Sequence, residues 1–70
     1  MMPLTLLAEG ETATIVKVGG NSELKHHLAD LGFVPNAEIT VVSKVAGNFI
    51  VLVKDTRVAI GKEMAQKIII

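Results

Sequence analysis

Seventy residues with a mass of 7.4 kDa leave room for one small domain, residues 1–70, because single domains run from ~50 residues upward. Seven Lys and Arg balance seven Asp and Glu at a sequence pI near 6.7, so composition carries no electrostatic footprint for a polyanion and nucleic acid is not an expected partner. Cysteine is absent, which excludes disulfide staples and thiolate zinc sites, and the longest unbroken apolar run, Phe49 to Val53, is far below the ~18 residues of a spanning helix.

Half of the residues are hydrophobic but only 3% are aromatic, so the core has to be aliphatic: 9 Val, 7 Ile, 7 Leu and 7 Ala with two Phe. Ordering so short a chain costs on the order of 100 kcal/mol at ~1.5 kcal/mol per residue, which burial offsets only narrowly. At the N-terminus Glu9, Gly10 and Glu11 interrupt the apolar residues from Leu4 to Ala8, and no basic segment precedes them. That is not the pattern of a signal peptide, and a cytoplasmic location without membrane insertion is the expectation.

In chain order, Thr12 to Val18 reads as a strand between Gly10 and Gly19-Gly20. Asn21 or Ser22 then caps a helix of about three turns, from Ser22 to Leu31, whose Leu24, Leu28 and Leu31 fall at i, i+4 and i+7. Glu23 suits the first turn, Gly32 sits where a helix-ending glycine belongs, and Pro35 prevents continuation. Ala37 to Val45 alternates as a strand, with Ile39, Val41 and Val45 on one face and Glu38, Thr40 and Lys44 on the other. Ala46-Gly47-Asn48 predicts a tight hairpin into Phe49 to Lys54, whose apolar residues lie on both faces. Asp55-Thr56 turns the chain into Arg57 to Ile60, Lys62 to Gln66 suits a helical turn, and Lys67 to Ile70 closes as a last strand. The predicted fold is mainly β: a small five-stranded barrel with one helix inserted between its first two strands and a short C-terminal helical turn. Leu28, Leu31, Ile39 and Val41 are assigned to its core.

The run Leu28-Ala29-Asp30-Leu31-Gly32-Phe33-Val34-Pro35-Asn36 resembles the Leu-x-x-Leu-Gly-apolar-x-Pro-Gly signature of FeoA-type proteins. Pro3-Leu4, Leu7 and Gly10-Glu11 are similar to the opening of that family, Ile15 to its first strand, and Val58-Ala59-Ile60, Glu63, Ala65 and Ile68 to Ile70 to its ending. The resemblance covers nearly the whole chain in the right order. It implies an SH3-like barrel, acting as a cytoplasmic accessory or regulator of ferrous iron uptake by binding FeoB, the membrane GTPase that imports the ion. Two positions depart from the pattern. Asn36 replaces the usual Gly, which Asn can do because it tolerates the left-handed conformation that a Pro-led type II turn requires. His27 stands where Arg is common and lacks its permanent charge. The runner-up reading is a stand-alone regulatory domain similar to the C-terminal domain of DtxR-type iron-dependent repressors.

Chemistry-bearing constellations are few. His26 and His27 each have a carboxylate at helical spacing, Asp30 and Glu23, but adjacent helix residues diverge by ~100°, so one helix cannot bring both imidazoles to one ion. No metal or cofactor is expected; a dimer in which each chain gives one His is the remaining route to a metal site. Gly19-Gly20-Asn21 lacks the Lys and Ser/Thr of a phosphate loop and reads as turn plus cap. With no Cys and both His on one helix, no nucleophile–base–orienter set can be assembled, and an enzyme is not expected.

The informative feature is apolar excess, since a chain of this size cannot bury half its residues and surface patches mark interaction sites. Leu6, Phe33, Val34 and Ile50 are the candidate partner-binding residues, and for all four a place in the core is as compatible with the sequence as a place in an interface. The patch around Phe33 and Val34 is uncharged in sequence, so partner affinity is expected to rest on apolar contact and to depend little on salt. Self-association through the same excess is compatible with the composition.

Overall fold

The computed structural model describes residues 1–70. A 3₁₀ turn at Leu4–Leu6 is followed by β1 (Thr12–Thr14), β2 (Lys17–Val18), α1 (Ser22–Asp30), β3 (Glu38–Val45), β4 (Asn48–Val53), β5 (Thr56–Gly61), α2 (Lys62–Ala65) and β6 (Ile68–Ile69). The strands form two antiparallel sheets, one of four strands in the order β1-β3-β4-β5 and one pairing β2 with β6. The protein is therefore mainly β, but it has six strands and is not the closed five-stranded barrel expected.

The difference arises at Ile15. The predicted strand Thr12 to Val18 splits there: Ile15 exchanges backbone hydrogen bonds with the β3 side, donating to the Ala37 carbonyl at 2.9 Å and accepting from Asn36 at 2.8 Å, whereas Val16 donates to the Ile69 carbonyl at 2.7 Å. One chain segment thus serves two sheets in succession, and its hinge residue is fully buried. β6 pairs with β2 and not with β5, from which α2 separates it in the chain.

Helix α1 starts and stops by local chemistry. The Asn21 side chain accepts a hydrogen bond from the Leu24 amide at 2.8 Å, satisfying one of the orphan donors of the first turn. At the other end Phe33 N–H donates to the Leu28 carbonyl and Gly32 N–H to the Ala29 carbonyl, both at 2.9 Å, with Gly32 at φ 106°. This is a Schellman cap, whose usual companion is an apolar contact between the residue after the glycine and the residue that opens the last turn. Here those residues are Phe33 and Leu28, both in the core cluster. Leu31, expected in the core, is 36% exposed because it is the C-cap residue and the chain reverses past it.

The meander β3-β4-β5 turns twice on two residues with positive φ: Ala46-Gly47 at 50° and 81°, and Lys54-Asp55 at 51° and 61°. Positive φ at both central residues is the geometry of the turns that match strand twist. The second turn falls one residue earlier than expected. A bulge between Val41 and Ser43 inverts the alternation of β3: Val41 faces Val51, but beyond the bulge Lys44 pairs with Phe49. Val45, expected on the face of Ile39 and Val41, is consequently 59% exposed, and the Lys44 ammonium lies 5.4 Å from the Phe49 ring centroid. Leu4, Leu7, Ile15, Leu28, Phe33, Ile39, Val41, Phe49, Val51, Val53, Ile60, Ala65 and Ile68 make one core cluster, with no polar or charged side chain buried.

Candidate docking groove

The α1 sequence sorts its side chains into three stripes. Leu24 and Leu28 face the core, Ser22, Lys25 and Ala29 share one flank, Glu23, His27 and Asp30 lie on the other, and His26 stands on the crest between the two flanks. The first flank borders a groove of ≈ 480 Å³ whose other wall is Lys17 and Val18 of β2 and whose end is closed by Val34 and Pro35. Val34-Pro35-Asn36-Ala37 is a tight turn, with the Ala37 amide bonded to the Val34 carbonyl at 3.1 Å and Asn36 at φ 74°, the left-handed conformation expected of it. This turn and the Schellman cap together fix Val34 at the mouth of the groove.

The four candidate partner-binding residues have separate fates. Phe33 is 1% exposed: it is a core residue that contributes only an edge to the groove, so it is withdrawn as a free docking anchor. Its place after the cap glycine, in contact range of Leu28, is the signal that distinguishes it from Val34. Val34 is half-buried and lines the groove. Leu6 is 65% exposed on the 3₁₀ turn, and Ile50 is half-buried on the outer face of β4, where it pairs with Ser43 and Ala59; neither lines the groove. The patch around Val34 is not uncharged as expected, because the fold brings Lys17 and Lys25 to its rim.

His26 and His27 are both exposed, and no three His, Asp or Glu side chains converge anywhere in the protein. His26 borders the groove and also the neighbouring hollow lined by Glu23, His27 and Asp30. These donors do not fit a site for a resident metal ion within one chain. No helix is long and apolar enough to cross a membrane.

The model of the FeoA domain matches residues 2–70. The chain belongs to the FeoA domain family. Among solved structures it is similar to an iron uptake regulatory protein, FeoA, with a TM-score of 0.88 at 28% identity over 96% of this chain and 91% of that one. It is also similar to FeoA of Stenotrophomonas maltophilia complexed with zinc, a prokaryotic SH3 domain protein, with a TM-score of 0.85 at 27% identity over 99% of this chain and 88% of that one. A manganese-dependent transcriptional repressor shares the fold, with a TM-score of 0.85 at 22% identity over 94% of this chain and 38% of the repressor. No curated protein matches the sequence.

Proposed function

We propose that this FeoA-family chain is a non-enzymatic accessory protein of ferrous iron uptake that acts on the cytoplasmic side by binding the FeoB membrane GTPase. The observation that carries the reading is the FeoA match over residues 2–70. It is supported by the likeness to an S. maltophilia FeoA described in terms of ferrous iron transport activation. The local structure is compatible with a binding role: a concave surface with apolar lining lies beside the helix, and exposed Leu6 and half-buried Val34 and Ile50 are available for contact. The fold likeness to the manganese-dependent repressor concerns a little over a third of that chain, so the regulatory-domain reading stands second. Co-purification of the tagged chain with FeoB from the same genome tests the proposal. Retention of FeoB by the wild-type protein is the expected result. Absence of retention, in detergent and in nanodiscs alike, overturns it.

A further inference from the structure

The charge of this protein is zero overall but not locally. Every ionisable side chain lining the helix–β2 groove is basic or imidazole, namely Lys17, Lys25 and His26, and no carboxylate lines it. The rest of the lining is Ser22 with the half-buried Val18, Ala29 and Val34, the edge of Phe33 and exposed Pro35. The acidic residues of α1, Glu23 and Asp30, do not line the groove but a neighbouring hollow that meets it at His26. Exposed cations beside half-buried apolar side chains, in a groove within the ~300–1,000 Å³ range of small ligand sites, select a ligand that carries both negative charge and an apolar group.

We propose that the groove takes a short acidic peptide segment: its carboxylates meet Lys17 and Lys25, and one of its aliphatic side chains enters between Ala29, Val34 and Pro35. The inference rests on the reading of this chain as a partner-binding module and names the chemistry of the segment that it binds. An anionic lipid surface is the poorer occupant, because Val18, Ala29 and Val34 are half-buried and Phe33 is buried, which leaves no exposed large apolar side chain of the groove to enter a bilayer. A single-stranded nucleic acid needs stacking faces, and the one aromatic side chain at the groove, Phe33, is 1% exposed.

The test measures fluorescence anisotropy of a labelled designed peptide, alternating Glu with Leu, against the full chain, with a Lys/Leu peptide of equal length and phosphatidylglycerol vesicles as comparison ligands. The expected result has four parts: the Glu/Leu peptide binds and the Lys/Leu peptide does not; affinity falls with rising salt; Lys17→Glu with Lys25→Glu weakens binding at least tenfold; and Arg57→Glu, a single charge reversal at an exposed position of β5, leaves it intact. Val34→Ser, which keeps the charges, weakens binding as well, and circular dichroism verifies the fold of each variant. Equal binding of both peptides, equal loss in the Arg57 variant, or capture by vesicles in place of the peptide overturns the proposal. The same variants are then tried against FeoB. If wild type and Lys17→Glu/Lys25→Glu retain FeoB equally, the groove proposal fails while the FeoB reading stands. If neither retains FeoB but the acidic peptide still binds as described, the FeoB reading fails and the groove proposal stands.

Discussion

The two sheets of this protein are held together in opposite ways. In the four-stranded sheet, β3, β4 and β5 are joined by two-residue turns, so each strand meets its partner at almost no loop-closure cost. The other sheet has only the pairs Lys17–Ile69 and Val18–Ile68, between segments about fifty residues apart in sequence, which makes its closure far more costly in chain entropy. What compensates is burial at both ends of the ribbon. Ile15, where the first strand changes sheets, and Ile68 are fully buried, and Met2 and Ile70 exchange a further pair of backbone hydrogen bonds at 3.0 and 2.8 Å. A small fold can thus let local turns build three strands of one sheet and rely on its core to hold the non-local pairings, β1 with β3 and β2 with β6.

The largest expected effect comes from the residue that ties the helix to the shared core. Phe33→Ala removes a buried ring and should cost ~3–5 kcal/mol, enough to unfold much of so small a domain, as read by thermal or denaturant melts. A folded Phe33→Ala protein with near wild-type stability would show that the Schellman contact contributes little.

Ile68→Ala sharpens the comparison itself. The expected loss is ~2–5 kcal/mol. Native-state amide exchange in this variant should accelerate first at Val16 and Gly19, the donors to the Ile69 and Lys67 carbonyls, while β3–β4 amides stay protected. Uniform acceleration would mean that the two sheets unfold as one unit.

At the second hairpin, two residues other than glycine sit at positive φ, which favours Asn and Gly. Replacing Lys54-Asp55 with Asn-Gly should therefore stabilise the meander by ~1 kcal/mol, raising Tm by about 4–8 °C for a domain of this size. The helix N-cap is of similar or smaller weight: Asn21→Ala should cost ~1 kcal/mol by freeing the Leu24 amide, while Asn21→Asp should retain the cap and the stability. A null result for Asn21→Ala in urea titration would show that water replaces the cap at no cost.

Much of this architecture is legible in the sequence because it is set by neighbours in the chain. Asn21 as cap, Gly32 as helix terminator, Asn36 in the left-handed turn and Ala46-Gly47 as hairpin all follow from backbone preferences of single residues, and each is found in place. Family membership was legible too, from the ordered run Leu28 to Asn36. Periodicity alone misplaced Leu31 and Val45. A helical stripe does not reveal that the chain reverses at the C-cap, and strict alternation does not reveal a bulge that turns the last residues of β3 over.

The sequence by itself determined the mainly β class, the helix limits to within a residue and the aliphatic composition of the core, because these depend on interactions within one turn or one hairpin. Tertiary structure alone decided that the first strand is shared between two sheets and that β6 pairs with β2, since both depend on packing between segments far apart in the chain. It also decided the character of the groove. Lys17 and Lys25 are separated by a glycine pair and a helix cap in sequence and look like two ordinary solvated charges; only the fold, which sets α1 and β2 on either side of one groove, brings both to the same concavity as Val34 and gives a neutral chain a locally basic surface.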